Sequence, residues 1–220
     1  MGYWKDNKKR WLLFTVFGIS LYVILYIIAT RYYPGGSQAD KNSIGYSWTN
    51  NYWCNLLYAK GINGKPNAAR PIALTAMVML CISLSLFWIQ FPRFTSLNKP
   101  AQLTIQASGT LAMIAGSFLF TSFNHDLIIN TASFLGLIAM AGTFVGLYQN
   151  GWKLLFAFGF INIIMIILNN IFYHTEGLIV YLPIIQKITF LIFLTWVCCI
   201  VFKILLFNNP EPGITKENSK

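Results

Sequence analysis

LIVYLPIIQKITFLIFLTWVCCIVFKILLF, residues 178–207, is the longest apolar run in the chain, and its only charged residues are Lys187 and Lys203. A helix needs about 20 residues to cross the hydrocarbon core of a bilayer. This run exceeds that length, and five others reach it, at about 11–33, 71–91, 103–122, 127–148 and 152–173. Closed β-barrels are the other spanning solution, but their strands alternate in segments of about ten residues. These continuous runs do not alternate. The sequence therefore predicts an all-α fold, a polytopic transmembrane helix bundle of six spans. Residues 1–220 form one membrane domain, with one long outer loop, 34–70, between spans 1 and 2.

Composition agrees. The chain of 220 residues is 56% hydrophobic and 10% charged, against about 25% charged for a soluble domain. So few charges cannot cover a water-facing surface. The formal net charge is +10, yet the basic residues are spread among apolar runs. That pattern excludes the concentrated footprint of a nucleic-acid binder and suits cations at the ends of membrane helices.

The N-terminal residues MGYWKDNKKR are short and basic. Gly2 does not make a myristoylation site, because Asp6 stands where Ser or Thr is needed. The run 11–33 is longer than a secretory signal core and ends in ATRYYPGG without a small-residue cleavage site. It is expected to remain as the first span. The four cysteines, Cys54, Cys81, Cys198 and Cys199, form no CxxC pair. Buried thiols commonly act as small apolar residues.

The outer loop contains GYSWTNNYWCNLLYAKGINGKPNAARP, Gly45 to Pro71, the longest polar interruption of the sequence. Its aromatic residues suit the headgroup level. Trp48, Tyr52 and Trp53 are expected to anchor it over the helix ends. Asn50, Asn51 and Asn55 are expected to cap helices or bind one another. Pro71 suits the first turn of span 2.

The distribution of basic residues orients the chain. With the N-terminus inside, Lys5, Lys8, Lys9, Arg10, Arg93, Lys99, Lys153, Lys203, Lys216 and Lys220 fall on the cytoplasmic side. Arg31, Lys41, Lys60, Lys65 and Arg70 fall outside. Both termini are then cytoplasmic, in a bacterial cytoplasmic membrane. Small residues at four-residue spacing, Ser108, Ala112 and Gly116 on span 3 and Gly142 and Gly146 on span 4, predict close packing of these two spans.

The chain has two histidines, and each has an acidic neighbour near an outer turn: His125 with Asp126, and His174 with Glu176. Asp126 and Asn130 are four apart and share a helix face. Zinc takes His and carboxylate ligands and, in catalytic sites, keeps one position open, so His125, Asp126 and His174 are conceivable ligands. The simpler reading, which we follow, is that short turns are polar because they meet water, and neither a metal nor another cofactor is expected.

Lys187 is the unusual charge. If the last helix starts at Leu178, Lys187 lies roughly 14 Å deep, near the midplane, where it would need a partner. A start near Pro183 instead places it in the second turn, where its head can snorkel outward. The second reading is preferred, with 174–182 an interfacial segment. Asn162, Asn169 and Asn170 of span 5 read as hydrogen-bonding glue between helices. Together His125, Asp126, His174, Glu176, Lys187 and Arg70 form a candidate polar cluster at one membrane surface, suited to a lipid headgroup, an anionic one in particular.

The aromatic–Asn segment leading to N-x-x-R-P, carried by Asn67 and Arg70, and the His125–Asp126 pair at the start of span 4 give the chain a family likeness. It resembles bacterial six-helix membrane proteins of unknown function related to the Frag/DRAM/Sfk group. The resemblance covers most of the chain and implies a fold, but no activity. A second likeness, to ceramidase and progestin-receptor-like membrane hydrolases, implies three histidines on zinc, and this chain has two.

Three functional classes follow. The first is a non-enzymatic membrane protein that binds or senses lipid at the outer face. The second is a metal-dependent hydrolase acting on a lipid. The third is a small-solute transporter, disfavoured because most spans lack charged residues and no internal repeat is visible.

Overall fold

The computed structural model describes residues 2–118 and 125–207, with the side chains of residues 2–9, 125, 126 and 207 outside the description. Six α-helices run through the described residues: α1 (Gly2–Thr30), α2 (Arg70–Gln90), α3 (Lys99–Ser117), α4 (His125–Gln149), α5 (Lys153–His174) and α6 (Leu182–Phe207). The only β feature among these residues is an isolated bridge between Lys60 and Pro66. Each helix packs on the next in sequence, and α6 returns to α1, so the six close into a ring.

Among the described residues, five segments are long and apolar enough to cross a membrane: Arg10–Thr30, Arg70–Phe94, Leu127–Gln149, Lys153–His174 and Glu176–Leu206. The exception, α3, carries Lys99, Gln102, Thr104, Gln106, Ser108 and Thr110 in its 19 residues. It is about 28 Å long and is flanked by α2 and α4. The end of its expected span, 119–122, lies outside the described residues. α5 presents Ile161, Ile164, Ile167 and Ile171 as an exposed stripe at helical spacing. A continuous apolar stripe of this kind belongs in lipid rather than water. The chain is thus a multi-pass membrane protein.

Small residues set the closest approaches. A Cβ on Gly142 would lie 2.3 Å from Cγ1 of Ile105, so Ile105 of α3 seats directly on the α4 backbone. Gly109 is covered in the same way by Trp88 of α2, 2.2 Å from where a Cβ would be. The expected α3–α4 packing is present, and Ser108 and Ala112 are buried. At Gly116, however, no described residue lies within 4 Å of where a Cβ would be, so among the described residues the small-residue seam does not extend to that turn.

Polar side chains fasten the helices. Gln106 Nε2 donates to Ile89 O at 2.8 Å, and Trp196 Nε1 donates to Leu155 O at 2.8 Å. On the face opposite the long loop, Ser96 Oγ donates to Asn150 Oδ1 at 3.2 Å, tying the α2–α3 and α4–α5 connections together. The chain therefore alternates between two faces. The loop after α1 and the segment after α5 share one of them.

That segment, Glu176–Tyr181, is a 3₁₀ stretch, and α6 starts at Leu182. Pro183 fits there because a first-turn proline forfeits no helix bond. Of the two expected starting points for the last helix, the one near Pro183 is found.

Candidate functional site

The loop between α1 and α2 folds as a compact roof held by asparagines. Asn51 is fully buried and Asn55 nearly so. Asn51 Nδ2 donates to Gly36 O at 2.8 Å and to Asn55 Oδ1 at 3.4 Å. Asn51 Oδ1 accepts from the Ser47 amide at 2.8 Å, and Asn55 Oδ1 from the Tyr52 amide at 2.7 Å. Asn67 Nδ2 reaches three carbonyls, those of Asn55, Leu56 and Tyr58. Its Oδ1 accepts from the Ala69 amide at 3.1 Å. Amides serve here because each supplies both donors and acceptors to a backbone with no regular ladder. Gly36 is required: its φ is +81°, and a Cβ would lie 2.4 Å from the Asn63 nitrogen.

Aromatic packing seats the roof. Trp53 is buried against Tyr22 and Tyr26 of α1 and Phe190 of α6, with ring centroids 6.0, 5.3 and 5.7 Å away. Leu56 is fully buried beside it. Trp48 departs from its expected role as an anchor. It is 49% exposed and stands edge-on to the Tyr46 ring.

Lys187 is the second departure. Its head does not snorkel to water, for the residue is only 6% exposed. The ammonium donates to the carbonyl of Asn51 in the roof and, at 2.8 Å, to Pro183 O of its own helix. It also sits over the Tyr46 ring, 5.7 Å from the centroid, a favourable cation–π placement. Tyr46 Oη donates to the same Asn51 carbonyl at 3.2 Å. The sequence could not show this, because the roof that covers Lys187 comes from residues far away in the chain.

Beside this contact lies an open cleft of about 700 Å³. Gln38, Tyr52, Cys54, Asn55 and Tyr58 of the roof line one side. Ile129 and Asn130 of α4, Asn169, Asn170, Tyr173 and His174 of α5, and Leu182 and Gln186 of α6 line the rest. The pairs Asn169–Tyr173, Asn170–His174 and Leu182–Gln186 are each four apart, the spacing that puts two side chains on one helix face. That spacing was the available signal for the cleft. Asn169 does act as glue, donating to Met165 O at 2.9 Å and to Thr189 Oγ1 of α6. Among the described residues Asn170 Nδ2 bonds Ile166 O of its own helix alone, at 3.1 Å. Gln186 Oε1 is buried without a partner among the described residues.

Of the expected polar cluster, the four residues whose side chains are described do not line one site. His174 lines the cleft but is exposed, and Glu176 is exposed on the 3₁₀ stretch. Lys187 turns into the roof. Arg70 is half-buried, and its Nε donates to Leu57 O at 3.2 Å. The side chains of His125 and Asp126 lie outside the described residues, and so does their distance from His174. Among the described residues no three His, Cys, Asp or Glu side chains converge as metal ligands. Asn67 and Arg70 are scaffolding of the roof, which explains their spacing without a ligand.

Burial sets the electrostatics of the roof. It pushes the Cys54 thiol up, against the lowering effects of hydrogen bonds and of the Lys187 charge. Tyr46 and Tyr52 are likewise raised, foremost by burial. Burial therefore keeps this thiol and these phenols in their neutral forms beside the Lys187 cation, and the polar side chains lining the cleft are carboxamides, phenols, the Cys54 thiol and one histidine. No known protein family, curated protein or solved structure matches the chain.

Proposed function

We propose that this protein binds a lipid headgroup in the cleft beneath the loop, at the outer face of the membrane, and acts by binding rather than by catalysis. One observation carries the reading. An open cleft of about 700 Å³, lined by carboxamides and phenols, sits where the apolar helices α4, α5 and α6 meet a polar roof. Ligand pockets combine apolar walls with a few placed polar groups, and a lipid has both a polar head and an apolar body to match. The count of basic residues supports the orientation, with both termini cytoplasmic. A cytoplasm-dependent reporter fused after Lys220 is expected to be active, and activity of a periplasm-dependent one would reverse the topology.

Native mass spectrometry of the full chain, extracted gently from its membrane, tests the binding. Wild type should carry one retained lipid. Asn170→Trp, which fills the cleft from an exposed position on α5, should lose it. A wild type that releases no lipid, or a variant that retains it, would sink the reading.

A further inference from the structure

We propose that α4 and α5 part toward the roof, and that the seam between them holds the acyl chains of the lipid whose headgroup lies in the cleft. This rests on the lipid-binding reading above and adds where the chains lie and from which side the lipid enters. The short turn 150–152 holds the two helices together at their far ends. Near that turn they pack ring on ring. The centroid of Phe144 lies 5.5 Å from that of Phe156 and 5.4 Å from that of Phe160, and Tyr148 lies 5.6 Å from Phe156. A Cβ on Gly159 would lie 2.5 Å from Phe144 Cζ. Closer to the roof, no ring contact or side-chain hydrogen bond joins α4 to α5 among the described residues. α4 meets α5 along less of its length than α6 does.

The faces that touch near the turn are the same ones that reach the cleft. Residues three, four or seven apart share a helix face. From Phe144, that face of α4 runs through Leu137 and Phe134 to Asn130. From Phe160, that face of α5 runs through Ile164 and Ile167 to Asn170 and His174. Leu137, Phe134, Ile164 and Ile167 are 53%, 66%, 55% and 53% exposed, and Asn130, Asn170 and His174 line the cleft. The seam from Phe160 to Asn170 is about 15 Å long, the depth of one leaflet of a hydrocarbon core about 30 Å thick. On its other side α5 is fastened to α6, through Asn169 to Thr189 and through Trp196 to Leu155 O. The cleft therefore opens sideways between α4 and α5. A gap between two apolar walls in a bilayer is filled, because an empty one forfeits dispersion contacts on both sides. An occupant polar at the cleft and apolar along a leaflet's depth is a membrane lipid in its ordinary posture. It slides in from its own leaflet, and its chains never cross water.

The test places a photoreactive side chain, p-benzoylphenylalanine, at Phe134, at Ile167 or, as a control, at Ile82. Ile82 is 51% exposed but lies on α2, away from the cleft. Each full-length variant is purified in detergent with the lipid it retains from the membrane, illuminated, denatured and weighed. A covalent lipid adduct is expected from the Phe134 and Ile167 variants and should be lost in the Ile82 variant. Leu137, exposed on the same face of α4, serves as the attachment point should either seam variant fail to fold. A lipid that native mass spectrometry finds bound but that forms no adduct in the seam overturns the proposal, and so does an equal adduct at Ile82. Either result leaves headgroup binding in the cleft standing. A wild type that carries no lipid overturns both. Glycerophosphoglycerol and glycerophosphoethanolamine, which are headgroups without chains, should not displace the retained lipid. Displacement by either would overturn the part assigned to the chains.

Discussion

The Lys187 ammonium donates to the carbonyl of Asn51, a residue 136 positions earlier in the chain. One bond thus ties the roof to the second turn of α6. A lysine buried this far must give up water, and the contacts replacing it are two carbonyls and the Tyr46 ring. Its role is that of a latch.

Replacing Lys187 with Met keeps the stem and removes the charge. The carbonyls of Asn51 and Pro183 then lose a donor, costing about 1–3 kcal/mol. The melting temperature should fall, and proteolysis within residues 46–58 of the purified chain should quicken. Lys187→Arg should not restore the wild-type rate, because a planar guanidinium cannot reproduce a compact ammonium's geometry. A variant more stable than wild type would mean the buried charge is a net cost, and the latch would be refuted.

Asn67 should matter more than any other polar residue of the roof. Its amide makes three donor contacts and accepts one. Asn67→Ala leaves several buried backbone groups unpaired and should cost about 2 kcal/mol or more. Asn67→Asp should be at least as harmful, since a carboxylate cannot donate to the three carbonyls. Thermal unfolding compares the two, and a mild effect of Asp would show that the donor contacts carry little.

Two glycines on α3 form a matched pair. Gly109 faces Trp88 with no room for a Cβ, while among the described residues nothing crowds Gly116. Gly109→Ala should destabilise by about 1–3 kcal/mol through overpacking. Gly116→Ala should be neutral or slightly stabilising, because alanine favours helix. Equal effects would contradict the close α2–α3 contact.

Cys54 gives the roof a pH dependence. Burial raises its thiol above the ordinary value, about 8.5. The folded state then holds the proton more tightly than the unfolded chain. Its contribution is fully present below the unfolded value and is lost as pH rises through the folded one. Maleimide labelling at pH 8 should therefore be slow at Cys54 compared with a free thiol. Alkaline pH should loosen the roof in wild type more than in Cys54→Ala. Labelling at the rate of a free thiol would show that the residue is not covered.

The sequence by itself determined the membrane class, the six helices, the position of the long loop and the start of α6 near Pro183. These follow from the length and continuity of apolar runs and from the geometry of proline, which are local properties of the chain. It also placed the tight α3–α4 contact, because small residues repeat at the helical period. Tertiary structure decided what covers Lys187, since a covering residue 136 positions away leaves no mark in the α6 sequence. It decided that Trp53, and not Trp48, anchors the roof, because two tryptophans of one loop differ only in which of them the loop's path brings against α1 and α6. It decided as well that Asn169, Asn170 and Gln186 share a cleft. Helical spacing groups residues within one helix, but only the packing of α5 against α6 under the roof brings the two groups together.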